Sequence, residues 1–299
     1  MFGYRPDGKK VRDLDPIQRI IPHIMTARHD SQNLTSFDIS CAPFDDFIRG
    51  QEGEGMRYTY MDILIAIFVR TIAKLPRLNR FVMNGRIYMR NSIQVSFVVK
   101  KDLTSEAADS LVKLDFTGLE SLPQVKEKID AAIRENSHIS ANNGTDKLAR
   151  VLTITPNFLI KWVVGLAKFL DKHGMIPNAL LRLSPFHTSI FVTNMKSIGG
   201  PSIFHHLYDF GTTGMFFSIG KESVTTVVRK GEVRQAKLLP LWFVCDERFC
   251  DGFYFVKALK TMYPFFLNPA LLLEPLESLG TDTVVVHGRK ARILEEAKK

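Results

Sequence analysis

A cluster of charges lies between two apolar runs in the C-terminal part of the chain. This arrangement limits the possible folds more strongly than any other feature of the sequence. The first run, LLPLWFVCDE at residues 238–247, has the composition of a buried strand. The second, GFYFVKALKTMY at residues 252–263, is typical of a helix, and Pro264 is expected to end it. The charges lie in the junction, DERFCDG, at residues 246–252. Charges held between a strand end and a helix start indicate a working site or the remains of one.

The rest of the chain alternates strand and helix patterns without an internal repeat or a linker. Thr59 and Asp62 form a capping box before an apolar helix that Pro76 is expected to end. Alternating or continuous apolar runs predict strands at residues 34–40, 85–100, 111–117, 187–195, 214–220 and 223–229. This order predicts one α+β domain with strands flanked by helices. The expected division is an N-terminal arm at residues 1–33, the domain at 34–275 and an exposed tail at 276–299.

Composition limits the class of protein. Of 299 residues, 45% are hydrophobic and 22 are Phe, which is enough for a substantial core. The net charge of +9 suits an anionic partner, but the basic residues are dispersed and no nucleic-acid motif occurs, so nucleic acid is not expected. Three cysteines without a CxxC pair and the absence of an apolar signal core at the N-terminus predict a cytoplasmic protein with free thiols. No HExxH pattern occurs, and no metal is expected.

A helical hairpin is expected at about residues 157–183. Its first helix contains FLIKWVVGLAKFL, which is too short to span a bilayer and carries lysines at helical spacing beside a wide apolar face. Gly174 and Pro177 separate it from a second helix. Burial against the body or a sister subunit is the favoured interpretation. The alternatives are a position on a membrane surface and the lining of an apolar substrate entrance.

Four segments together resemble the catalytic domain of the 2-oxoacid dehydrogenase acyltransferases, whose fold is shared with chloramphenicol acetyltransferase. That family carries Asp-His-Arg, two variable residues and Asp-Gly between a strand and a helix. Here Asp246, Arg248, Asp251 and Gly252 occupy those places, and Glu247 replaces the His. The other matching segments are FVTNMKSIGG at 191–200, MDILIAIFVRTIAKLPRLNRFV at 61–82 and the arm with the first strand at 15–40. The resemblance covers roughly residues 15–275.

The resemblance implies a chloramphenicol-acetyltransferase-like domain with a mixed central sheet, assembled as a homotrimer with a channel between subunits. It also implies acyl transfer between coenzyme A and a small acceptor. The family's His is the base, and a hydroxyl across the channel, here Thr193, stabilises the oxyanion, which is worth about 2.7–4 kcal/mol for comparable donors. The Asp before Gly, here Asp251, is expected to pair with Arg28 or Arg19. No lipoyl module is found before residue 15, so no lipoyl group is expected on this chain.

Glu247 departs from the family at the position of the base. A solvated carboxyl has a pKa about 2 below that of imidazole, which costs about 3 kcal/mol in proton transfer from a thiol and lowers the rate about 100-fold. A dry channel could close that gap by raising a carboxyl pKa. His206, in the loop before the strand at 214–220, is the alternative base. The sequence leaves two functions open, an acyltransferase with an altered base and an inactive trimeric binding or scaffold protein.

Overall fold

A mixed seven-stranded sheet forms the centre of the molecule. The structure, a computed structural model, describes residues 5–100, 109–138, 155–229, 231–281, 283–286 and 289–292. Its strands are β1 (Gly8–Lys10), β2 (Gln32–Ser40), β3 (Arg80–Met83), β4 (Arg86–Arg90), β5 (Ile93–Lys100), β6 (Asp109–Phe116), β7 (Ile190–Asn194), β8 (Met215–Ile219), β9 (Ser223–Arg229), β10 (Glu232–Asp246), β11 (Thr283–Val286) and β12 (Arg289–Arg292). The helices are α1 (Pro16–Ile24), α2 (Ala42–Gly53), α3 (Tyr60–Lys74), α4 (Leu122–His138), α5 (Asn157–Lys172), α6 (Asn178–Leu183) and α7 (Gly252–Leu267).

The large sheet runs β2–β10–β8–β7–β5–β6, and β9 pairs with the first half of β10. Strand β7 is parallel to β5 and β8, whereas the other pairs are antiparallel. Two smaller sheets, β1–β4–β3 and β11–β12, accompany it. The expected α+β class with a mixed central sheet is therefore confirmed.

The alternation of side chains along the strands gives the sheet two unlike faces. Val95, Val192, Phe217 and Phe243 point to the inner face and join the main core with α2, α3, α4 and α7. Residues adjacent to these on the same strands point to the outer face. There Phe191, Phe216 and Val244 form a small cluster with Leu207. The outer face thus has only a thin cover, which the loop at 200–214 provides.

Local signals account for the central helix α3. The side-chain oxygen of Thr59 accepts from the amide of Asp62 at 3.2 Å, and the Asp62 carboxylate accepts from the amide of Thr59 at 2.8 Å. This is the expected capping box. The helix ends at Lys74, before Pro76. Its apolar residues are buried on nearly all sides, so α3 is the core of the inner layer.

Helix α7 differs from expectation at its C-terminus. Pro264 lies inside the helix, which continues to Leu267. A proline so close to the end removes a single backbone donor, and Phe265 and Phe266 are buried in the core, so their packing favours one more turn. After the helix, Leu276 and Leu279 also pack against the core.

The hairpin at 157–183 forms two helices as expected, but it is not buried against the body. Most apolar side chains of α5 are exposed, including Phe158 and Trp162. Among the described residues, the C-terminal end of α5 is docked most firmly, through Asp171, whose carboxylate meets Arg5 at 2.9 Å and His187 at 3.0 Å. Among the described residues, no helix is long and apolar enough to cross a membrane.

Candidate functional site

The DERFCDG segment forms a turn that joins β10 to α7. Strand β10 ends at Asp246, residues 247–250 turn, and Asp251 caps α7 by accepting from the amide of Tyr254 at 2.9 Å. Cys250 is fully buried in this turn, where it packs in the main core. The turn therefore has a rigid foundation below its charged side chains.

Asp246 is the buried centre of this turn. Its carboxylate accepts from Nε and Nη2 of Arg248 at 2.9 and 2.7 Å, from the Arg248 amide at 3.1 Å and from Oγ of Ser31 at 3.3 Å. Nε of Arg28 lies 3.7 Å away on the other side. Asp246 is completely inaccessible to solvent. This cluster ties the end of β10 to the chain segment before β2.

Arg28 connects the same cluster to two other segments. Its guanidinium donates to the carbonyls of Tyr208 at 2.7 Å and Val82 at 3.0 Å. Burial lowers the pKa of Arg28 to about 10, and the neighbouring Asp246 opposes that effect. Arg28 thus holds the loop at 200–214 and strand β3 against the end of β10.

The expected partner of Asp251 is wrong. Arg77 meets Asp251 at 3.2 Å, whereas Arg28 pairs with Asp246 and Arg19 donates to the carbonyl of Arg12. Arg77 lies in the short 3₁₀ turn after α3, and that turn faces the start of α7. A residue 174 positions away in the chain supplies the charge, so sequence neighbours could not indicate it.

Glu247 lies at the surface of the turn. Its amide donates to the carbonyl of Ser31 at 2.9 Å, which continues the pairing of β10 with β2. The side chain is half-buried, and no hydrogen bond or ion pair joins it to the described residues. The guanidinium of Arg248 points away from Glu247 and donates two hydrogen bonds to the carboxylate of Asp246. Glu247 thus presents a carboxyl group without a partner in the described part of the chain.

Thr193 lies far from Glu247 within one chain. Thr193 pairs across the sheet with Ser218, and Ser218 pairs with Trp242 on β10. Glu247 is five residues beyond Trp242, so the separation is roughly 17 Å along the strands and about 10 Å across them. The side chain of Thr193 is half-buried on the outer face, with its hydroxyl 3.8 Å from Sδ of Met195. One chain therefore cannot bring both groups to the same reacting carbonyl.

His206 lies on the outer side of the loop at 200–214. Its ring is exposed, while the ring of His205 lies flat on Phe216, with ring centroids 3.9 Å apart and an interplanar angle of 2°. The loop follows β10 toward its end, because the amide of Leu207 donates to Gln32, the partner of Asp246 in β2. His206 therefore belongs to the same end of the sheet as Glu247.

A histidine that the sequence did not single out lies beside this turn. Nδ1 of His29 is 2.6 Å from Oδ2 of Asp209, and Oδ1 of Asp209 accepts from the amides of Arg28 and His29. These contacts lower the pKa of Asp209, although burial opposes the shift. His29 lies two residues before Ser31, whose carbonyl binds the amide of Glu247. The two partners are 180 positions apart in the chain, so no sequence signal connects them.

A cavity of about 530 Å³ lies behind the turn, between the N-terminal arm, the β3–β4 turn and α5. Its charged lining residues are Arg28, Lys168, Asp171, Lys172, Asp209 and Arg248. Cations outnumber carboxylates in this set, so the cavity favours an anionic group. No group of three or more His, Cys, Asp or Glu side chains is placed to hold a metal within the ranges that the structure covers.

Comparison with solved structures defines the class of fold. A probable dihydrolipoamide acetyltransferase from Listeria monocytogenes superposes with a TM-score of 0.54 at 11% identity, covering 87% of this chain and 96% of its own. The dihydrolipoamide acetyltransferase of Azotobacter vinelandii also gives 0.54, at 14% identity and with 88% and 94% covered. A chloramphenicol acetyltransferase gives 0.53 at 10% identity, with 87% and 99% covered.

These neighbours show that the chain has the fold of acyltransferase catalytic cores and of chloramphenicol acetyltransferase. The expected fold is thus confirmed, and the match extends over nearly the whole of each neighbour. No protein-family model matches the sequence. No curated protein matches it either.

Proposed function

We propose that this protein is a coenzyme-A-dependent acyltransferase of the 2-oxoacid dehydrogenase acyltransferase type with an altered general base. The observation that carries the proposal is the strand-turn-helix frame around Asp246. The carboxyl of Glu247, which has no partner among the described residues, lies where the family resemblance places the base. It stands on a fold shared with acetyltransferases. The acyl donor and the acceptor are small molecules.

The proposed reaction is acyl transfer from the thioester of an acyl-CoA to a thiol or hydroxyl acceptor. A base removes the proton of an acceptor thiol or hydroxyl, and the nucleophile attacks the carbonyl carbon of an acyl-CoA. The tetrahedral oxyanion collapses, the bond from carbon to the coenzyme A sulfur breaks, and the thiolate leaves and takes up the proton. Cations at the cavity, Lys168 and Lys172 among them, suit the phosphates of coenzyme A. No metal is required in this scheme.

The separation of Thr193 and Glu247 supports a proposal about how copies of the chain assemble. Because the two groups lie far apart in one chain, we propose a homotrimer in which Thr193 of one copy faces Glu247 of the next. The hydroxyl of Thr193 then donates a hydrogen bond to the oxyanion. This arrangement gives each site groups from two copies.

Three side chains are candidates for the base. Glu247 occupies the position that the family gives to His, and His206 is exposed nearby. His29 has a stronger geometry, because Asp209 accepts from its Nδ1–H and so leaves Nε2 as the proton acceptor. An imidazole also titrates closer to neutral pH than a solvated carboxyl. We therefore include His29, with Asp209 as its positioning residue, among the proposed bases.

Turnover of acetyl-CoA with dihydrolipoamide as probe acceptor tests the proposal. Substitution of the base, by Glu247→Ala, His206→Gln or His29→Gln, is expected to lower kcat by about 100-fold or more. Glu277→Ala removes an exposed carboxyl elsewhere and is the matched control. Coenzyme A binding by calorimetry, measured on the same variants, separates loss of chemistry from loss of binding.

The second candidate function is an inactive homologue that acts as a trimeric binding or scaffold protein. The replacement of His by Glu at position 247 is the observation that favours it. Thioester cleavage at background for the wild type, with a broad set of acyl-CoAs and acceptors, would support this alternative. If Glu247→His then creates acetyl transfer, only the base was lost; if coenzyme A is not bound either, the channel itself is absent.

A further inference from the structure

Helix α5 projects from the body with its apolar side chains in solvent. Phe158 is 75% exposed and Trp162 is 71% exposed. The other large apolar residues exposed in the hairpin are Leu159, Val163, Val164, Leu166 and Phe169 in α5, Met175 in the connection, and Leu180 and Leu183 in α6. An exposed apolar surface of this kind marks an interaction site.

The lysines of α5 lie in one narrow stripe together with Gly165. At 3.6 residues per turn, Lys161, Gly165, Lys168 and Lys172 fall within roughly 60° of the helix circumference. All four are exposed, and Lys168 and Lys172 also line the cavity. A different side of the helix faces the body, since the half-buried or buried residues of α5 are Ile160, Ala167, Leu170 and Asp171. The lysine stripe therefore lies between the body and the exposed aromatic face of Phe158 and Trp162.

The exposed charges of the hairpin are all basic. Its cationic side chains are Lys161, Lys168, Lys172 and Arg182, and its single acid, Asp171, is buried against Arg5 and His187. The whole chain carries a net charge of +9. Such a surface complements anionic headgroups, whereas a second copy of the hairpin would offer Lys161 and Arg182 no exposed acid.

We propose that the hairpin at 157–183 docks the protein on an anionic membrane surface, with α5 lying in the headgroup region and its apolar face toward the acyl chains. Phe158 and Trp162 would anchor it, because aromatic rings favour this interface. The 16 residues of α5 extend about 24 Å, less than the roughly 30 Å of a hydrocarbon core. A helix of this kind lies on the surface. The inference goes beyond the proposed acyl transfer and does not depend on it.

Co-sedimentation with vesicles tests the proposal without any turnover. The full chain is expected to bind phosphatidylcholine vesicles that contain phosphatidylglycerol, to ignore vesicles of phosphatidylcholine alone, and to be released by salt. The double substitution Phe158→Ser with Trp162→Ser is expected to lower the partition coefficient by more than about tenfold. Lys161→Glu is expected to lower it by about fivefold.

Matched variants lie elsewhere on the surface. Val228→Ser with Val233→Ser removes two similarly exposed apolar side chains, and Lys260→Glu reverses an exposed cation; neither is expected to change binding. Equal binding to both kinds of vesicle, or full binding by the Phe158 and Trp162 variant, would overturn the proposal. If the wild type ignores vesicles and the same variant converts an oligomer to monomers in solution, the hairpin is instead a contact between copies.

Discussion

At the scale of single residues, Asp246 determines the shape of the candidate site. Its carboxylate accepts two hydrogen bonds from the side chain of Arg248 and lies 3.7 Å from Nε of Arg28. A buried charge pair is tolerated only when its remaining hydrogen-bonding groups are satisfied. The backbone amide of Arg248 and the hydroxyl of Ser31 supply these contacts. None of these contacts involves the side chain of Glu247, which has no partner among the described residues.

Asp246→Asn is expected to lower the free energy of unfolding by about 3–5 kcal/mol, because Arg28 and Arg248 would keep buried charges without their counter-charge. Urea denaturation measures the change. The control Glu232→Gln breaks the exposed pair with Arg234 and is expected to change it by less than about 1 kcal/mol. A similarly small effect of Asp246→Asn would contradict the structural role assigned to this carboxylate.

At the scale of elements, α5 depends on one buried network for its attachment. The Nε2–H of His187 donates to Asp171 at 3.0 Å, while its Nδ1 accepts from Ser184 at 2.7 Å. This tautomer follows because a carboxylate only accepts. Desolvation lowers the pKa of His187 below its usual value, although Asp171 opposes the shift. Burial thus favours the neutral imidazole. Burial also opposes ionisation of Asp171, but the hydrogen bond from His187, together with the charge of Arg5, lowers the pKa of that carboxyl.

This network predicts a loss of stability as the pH falls below about 6.5, the usual pKa of His. In that range the unfolded chain binds a proton that folded His187 does not, so the free energy of unfolding decreases toward acid. His187→Gln is expected to remove up to about 1.4 kcal/mol per pH unit of this slope. Urea midpoints between pH 7.5 and 5 measure it. His206→Gln, at an exposed ring, is expected to leave the slope unchanged.

At the scale of the whole molecule, the sheet places Thr193 and Glu247 at opposite ends. Strand registers fix this separation, since Thr193 is level with Trp242 and Glu247 follows the end of β10. A closed symmetric assembly can bring opposite ends of neighbouring copies together. The proposed function therefore requires an oligomer.

Mixed oligomers test this requirement. Thr193→Ala and Glu247→Ala are each expected to reduce transfer strongly, yet mixed trimers of the two should regain activity. In such a trimer some sites combine Glu247 of one copy with Thr193 of the next, about a quarter of the sites after random exchange. Sedimentation verifies the trimer, and acetyl-CoA turnover measures the recovery. An active monomer, or no recovery in mixed trimers of two folded variants, would exclude a shared site.

Local signals in the sequence determined much of this protein. The capping box at Thr59 and Asp62, the alternation along β2 and the apolar run into DERFCDG each act within a few residues, so they predicted α3, the strands and the turn. The error at Pro264 arose because packing of the following aromatic residues outweighs a single lost hydrogen bond.

The ion pairs between distant segments became apparent in the tertiary structure and could not be read from the sequence. Arg77 with Asp251, Arg28 with Asp246 and His29 with Asp209 are pairs between segments far apart in the chain. Periodicity reports which side of an element is apolar, but not what lies opposite. For the same reason the apolar face of α5 was visible in the sequence, whereas its orientation away from the body emerged only when the chain was folded.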